Sequence, residues 1–286
     1  WNTIKCQGNI PTPRIGHTFI KIARTYLLFG GLETTSSEKI GASNSVYTMR
    51  LALNNCQWTL NNCSGDPPLP RCNHSAEEIN DSQMMVFGGY FSSKQRFNDT
   101  YILRLNGSPN YFWYQPSNQK SGQEPQNTES KIGAPEPRAN HTATFIKELN
   151  RVYIFGGHGG VGYSRKAFND MHFIDCESFE WTKVETKGSA PEPRGGHIAG
   201  RLPKNNKIFV QGGWSSISQY SNIFVFDFEE NAWAELNINF DTPRWNHCGL
   251  VIPALPHWKL FIFGGSSAYF EEGTPRNYGS QVNSAV

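Results

Sequence analysis

The chain has almost no net charge, no long apolar run and no paired-cysteine motif, and each absence removes a class of function. Its 26 lysines and arginines stand against 24 aspartates and glutamates, a formal charge of +2. A dedicated nucleic-acid surface carries a clear basic excess, so nucleic acid is not an expected partner. No apolar run approaches the roughly 18 residues that a membrane helix requires, so no membrane insertion is expected, and the opening WNTIKCQG has none of the features of a signal peptide. The six cysteines form neither Cys-x-x-Cys nor zinc-finger spacing. They are expected as free thiols in a reducing compartment, which makes the expected location cytoplasmic. No segment sustains a helical period, and the glycine-rich GGHGGVGYSRK at 156–166 lacks the Gly-Lys-Ser/Thr end of a phosphate loop. It is expected to be a mobile loop.

What the chain does have is repetition. PTPRIGH, PLPRCNH, PEPRANH and PEPRGGH share one pattern, beginning near residues 11, 68, 135 and 191, and DTPRWNH near 241 keeps most of it. Each is followed by an apolar run closed by two glycines: LLFGG, MVFGG, YIFGG, FVQGG and FIFGG. After the first four glycine pairs come a loop, an alternating segment and a tryptophan, at Trp58, Trp113, Trp181 and Trp233. A catalytic motif is rarely copied five times, whereas a structural unit has to be. The repeated arginines and histidines are therefore expected to bond backbone groups near a common axis.

Each unit reads as four short strands, the second apolar on both faces and so buried between layers. One such sheet is too small to bury its own faces. Stacking several around an axis solves this, and the fold class expected is an all-β propeller of four-stranded antiparallel blades. One propeller is expected to span 1–286, interrupted by a polar insertion at 117–133 (SNQKSGQEPQNTESKIG). WNTIKCQG matches WTKVETKG at 181–188, so the chain is expected to open on a lone fourth strand. Sequons at Asn62, Asn73, Asn80, Asn98 and Asn140 are read as a by-product of an asparagine-rich chain, since Asn73 and Asn140 lie inside the repeated motif.

The glycine pairs, the downstream tryptophan and the period of about fifty residues resemble kelch repeats. The Pro-x-Pro-Arg-x-x-His opening is similar to the kelch variety of free-standing propellers and multidomain adaptors. The resemblance covers almost the whole chain and implies a six-bladed ring. Gln211 departs from the pattern, replacing the aromatic usual before Gly212–Gly213. Among kelch-like enzymes, galactose oxidase needs copper held by tyrosines and histidines, while His17, His74, His141, His197 and His247 occupy one equivalent position in successive units. Specifier proteins bind iron through Glu-x-x-x-Asp-x-x-x-His, which does not occur here. No metal or other cofactor is expected.

The resemblance implies a non-catalytic protein-interaction module. The alternative is a kelch-type enzyme, or the regulatory propeller of one such as a kelch-containing phosphatase. The loops between second and third strands are the expected contact surface for a protein or peptide, because interfaces favour aromatic and arginine side chains on loops. Tyr90, Phe91, Arg96, Tyr163, Arg165, Lys166, Trp214, Tyr220, Tyr269 and Arg276 are the candidate partner-binding residues.

Overall fold

The computed structural model describes residues 4–34, 39–52, 55–105, 111–116, 133–203, 206–238, 240, 242–254 and 257–267. Among these there is no α-helix, only two single 3₁₀ turns at Lys147–Leu149 and Gly162–Ser164. The strands form five consecutive blades of a β-propeller. Blade 1 runs outward through Thr18–Ile22, Thr25–Phe29, Val46–Leu51 and Asn55–Asn61, all antiparallel. Blade 2 repeats this with Ser75–Asn80, Gln83–Phe87, Thr100–Leu105 and Tyr111–Tyr114. Blade 3 uses Thr142–Ile146, Arg151–Gly159, Lys166–Asp175 and Trp181–Lys183. Blade 4 uses Ile198–Arg201, Lys207–Gln211, Ile223–Asp227 and Ala232–Leu236. Of blade 5 the described residues hold two strands, Cys248–Ala254 and His257–Phe263.

Three blades carry a fifth strand that the four-strand expectation missed. Lys5–Gly8, Cys63–Gly65 and Lys187–Gly188 each lie parallel against the outer strand of blades 1, 2 and 4. Each belongs to the segment that enters its blade. It covers an edge that would otherwise present unpaired backbone groups. Lys5–Gly8 is thus the outermost strand of blade 1, as Lys187–Gly188, its counterpart in the matching segment 181–188, is of blade 4. Trp1, at which the expected lone fourth strand opens, lies outside the described residues. Residues 117–132 of the polar insertion lie outside them as well.

The tryptophans do fill the wedges between blades, with one exception. Trp113 packs on Phe29, Trp181 on Phe87 and Trp233 on Phe155, at ring-centroid distances of 5.1, 4.7 and 4.9 Å. In each case the phenylalanine precedes the glycine pair of the preceding blade, and all six rings are buried. Trp58 is half-buried and tilts over Phe19 of its own blade. No blade precedes it among the described residues.

Candidate functional site

Two regions gather polar groups: the axis, where the inner strands meet, and the loop face. At the axis, the residue before each repeated histidine has positive φ: Gly16 (66°), Asn73 (52°), Asn140 (56°), Gly196 (65°) and Asn246 (52°). This left-handed conformation costs most residues about 1–2 kcal/mol and is visited chiefly by glycine and asparagine. The alternation of Gly and Asn at this position follows directly. The turn aims each backbone N–H at the preceding blade. Asn73 donates to the Gly16 carbonyl at 2.7 Å, Asn140 to Asn73 at 3.0 Å, Gly196 to Asn140 at 2.8 Å and Asn246 to Gly196 at 2.7 Å. One hydrogen-bonded relay thus ties five blades at their tips.

The histidines add a second relay. The Nε2 atoms of His74, His141 and His197 bond the hydroxyls of Thr18, Ser75 and Thr142, one blade back, at 2.9, 2.8 and 2.9 Å. Their rings lie edge-on to Phe29, Phe87 and Phe155. Blade 4 has no such hydroxyl, because Ile198 stands where the others have Thr or Ser. Here Gln211, paired directly across the ladder from Ile198, supplies the acceptor, and His247 Nε2 meets its Oε1 at 2.7 Å. The polar and apolar partners have exchanged strands. This is the physical reason for the odd glutamine in FVQGG.

The arginines are equally structural. Arg71, Arg138 and Arg194 have fully buried side chains and donate to the carbonyls of Gly88, Gly156 and Gly212, the first glycine of their own blade's pair, at 3.0, 2.9 and 3.1 Å. Arg71 and Arg138 each also bind an aspartate, Asp99 and Asp170, through two nitrogens. Against the upward pull of burial, bonds from His172 and Arg138 hold the Asp170 carboxyl well below its usual range. An adjoining aromatic closes each clamp: Phe97, Phe168 and Tyr220 lie under Arg71, Arg138 and Arg194 at 4.3, 4.1 and 4.1 Å.

These tips line an open depression of about 160 Å³, bordered in part by His17, His74, His141 and His197. Ionisable groups do converge here, and they are perturbed. Burial and then the neighbouring arginine push His74 and His197 well below the ordinary histidine range and His141 to about 3. Burial likewise raises the Glu77 carboxyl to about 8, while its Oε2 accepts the Phe145 N–H of the next inner strand at 3.3 Å. The perturbations come from packing. Each of the three histidines already spends Nε2 on a neighbouring blade, and no cluster among the described residues has the makings of a metal site.

The loop face is where the sequence reading placed its partner-binding residues, and the structure brings a subset of them together. Arg96 of blade 2 donates from Nη1 to the Gly160 carbonyl in the blade 3 loop, which ties the two loops. Its charge is disfavoured first by burial and then by Arg165 nearby. His158 stacks on Trp214 at 4.3 Å and donates from Nε2 to the Trp214 carbonyl at 3.1 Å. Burial holds His158 down to about 4, so it is neutral. Arg96, His158, Arg165 and Trp214 therefore form one cluster spanning three blades. Arg96 Nε and the Trp214 indole nitrogen are buried without a partner among the described residues. Arg165 is exposed.

Other candidates are committed elsewhere. Lys166 pairs with Glu136 at 2.7 Å on the surface, and the Tyr220 ring sits under Arg194 as part of the scaffold. Tyr90 is half-buried, and burial together with Cys72 pushes its phenol upward. Phe91 is 46 % exposed and faces solvent from the same loop as Arg96. The side chain of Tyr163 and all of Tyr269 and Arg276 lie outside the described residues. His158 is the one member of the cluster not among those candidates. Its signal in the sequence was its place directly after Gly157 at the head of a long loop.

Comparison with known proteins agrees with this architecture. The family model described as the KLHDC2/KLHL20/DRC7 Kelch-repeats domain matches residues 16–265. The flagellar outer-arm dynein alpha chain of Chlamydomonas reinhardtii is 31% identical over 93% of this chain, which corresponds to 6% of the dynein's own length. Host cell factor 2 of Homo sapiens is 27% identical over 86% of this chain and 30% of its own. The Rab9 effector protein with kelch motifs of Mus musculus is 28% identical over 74% of this chain and 51% of its own. The chain thus spans about half or less of the length of these relatives. With five Gly-Gly blades, their arginine clamps and this match, the chain belongs to the kelch-repeat family.

Proposed function

We propose that this chain is a non-catalytic protein-binding module, one propeller acting in the cytoplasm, which holds an acidic peptide segment of a partner protein on its loop face. The carrying observation is the cluster of Arg96, His158, Arg165 and Trp214, which sets the exposed Arg165 guanidinium near the half-buried Arg96 and beside an aromatic pair. The exposed Arg165 guanidinium can take a carboxylate through two hydrogen bonds, and the exposed Phe91 offers apolar area on the blade 2 loop. Arginine and aromatic side chains are also what interface hot spots favour. The axial histidines and buried arginines support the same reading, because the histidine Nε2 atoms bond the neighbouring blade and the guanidinium groups bond backbone and side chains of their own blade. One relative is named an effector, a word for a binding partner. Trp214 also packs on His158, so its removal disturbs the fold as well as the surface. The cleaner test is Arg165→Ala with Phe91→Ala. In fluorescence polarisation against labelled peptides rich in Asp, Glu and aromatic residues, this pair is expected to lose at least tenfold in affinity with an unchanged melting curve. Glu148→Ala, on the opposite face, is expected to bind like the parent. Equal binding by all three proteins would refute the assignment.

A further inference from the structure

The sulfurs of Cys6 and Cys56 lie 2.6 Å apart, closer than two unbonded sulfur atoms approach each other. The two residues are direct partners in the parallel ladder between Lys5–Gly8 and Asn55–Asn61. Registered neighbours on adjacent strands sit about 4.8 Å apart with their side chains on one face, inside the roughly 4.4–6.8 Å range of Cα separations that a disulfide spans. Both cysteines are free thiols in the structure. From this placement we infer that Cys6 and Cys56 are a dithiol–disulfide couple that fastens the N-terminal strand to the outer edge of blade 1.

The pair is suited to exchange. Cys6 is exposed and Cys56 is buried beneath it, so an oxidant reaches Cys6 first. With a glutathione-type disulfide as oxidant, the Cys6 thiolate attacks one sulfur, releases one reduced glutathione and forms a mixed disulfide. The Cys56 thiolate then attacks the Cys6 sulfur and releases the second. The two thiol protons end on the two released glutathiones, the two cysteines are oxidised and one glutathione disulfide is reduced. The equivalent entry strand of blade 2 has Cys63 opposite Tyr111, so no second sulfur is in register there. The couple belongs to blade 1. What it controls is specific: bonded, it spans from residue 6 to residue 56 and locks a strand whose own four residues are all exposed.

The test uses the whole chain with oxidised glutathione, followed by alkylation and non-reducing peptide mapping. The expected result is a Cys6–Cys56 linked peptide, absent after reduction and absent in Cys6→Ser, with Cys176→Ser behaving like the parent. Amide exchange at residues 5–8 is expected to slow several-fold on oxidation of the parent and to stay unchanged in Cys6→Ser. Because Cys6 is exposed, serine there leaves the fold intact, and the exchange rates of blades 2 to 4 check this. Separate alkylation of Cys6 and Cys56 after oxidant, or a link from Cys6 to any other cysteine, would overturn the proposal. A Cys6–Cys56 link with unchanged exchange at residues 5–8 would overturn the fastening role.

Discussion

Gln211 and Ile198 offer the sharpest test of how the blades are joined. Gln211 is 1% exposed; its Oε1 serves His247 at 2.7 Å and its Nε2 donates to the Ser221 carbonyl at 3.2 Å. Gln211→Leu keeps the volume and removes both bonds. Each buried group left unsatisfied costs roughly 1–3 kcal/mol, so the single variant should lose about 3 kcal/mol. Ile198→Thr alone should also destabilise, since Ile198 is buried in an apolar cluster and packs against Gly249. The double change Ile198→Thr with Gln211→Phe rebuilds the arrangement of the first three blades, giving His247 a hydroxyl in place of the amide. Residues in one network couple by about 0.5–3 kcal/mol. Ile198→Thr should therefore cost at least about 1 kcal/mol less in the Gln211→Phe background than in the parent. Urea denaturation of the four proteins measures this. Strict additivity would refute the exchange of partners between strands.

Three further outcomes follow from the same structure. Trp181→Ala should cost about 3–5 kcal/mol in denaturant titration, as for other buried aromatics; a loss under about 1 kcal/mol would contradict the blade register. Asn140→Gly should be nearly silent and Asn140→Ala should cost about 1–2 kcal/mol, because φ is +56° there, as chemical denaturation of both would show. Stability should fall as pH drops from about 6.5 toward 4. His141 has a folded pKa of about 3, below its unfolded value, so the unfolded chain binds the extra proton in that window, at up to about 1.4 kcal/mol per pH unit. Denaturation at stepped pH should show a shallower slope for His141→Gln, and an unchanged slope would refute this.

The repeat was legible because its devices are chemical necessities. Only glycine or asparagine suits the turn before each histidine, and only a large aromatic fills each wedge, so both recur visibly. The arginine clamp and the histidine bond were legible as structural for the same reason, through repetition. What could not be read is whatever depends on register. Ile198 and Gln211 are thirteen positions apart in sequence, and their exchange of roles appears only once they are seen as cross-strand partners. The pairing of Cys6 with Cys56 needed the parallel fifth strand, whose short entry segments carry no alternating pattern. Tyr220 looked like a loop aromatic because Ser221 and Asn222 replace the Asn-Asp that follows Phe97 and Phe168, which hid its place in the arginine clamp.

The claim that the loop face carries the binding is tested most directly by amide hydrogen exchange of the chain with and without a bound partner or acidic peptide. Protection is expected at residues 90–96, 158–166 and 214–219, with none at the Lys147–Leu149 turn on the opposite face. Protection confined to that opposite face, with the Arg96, Arg165 and Trp214 loops unchanged, would contradict it.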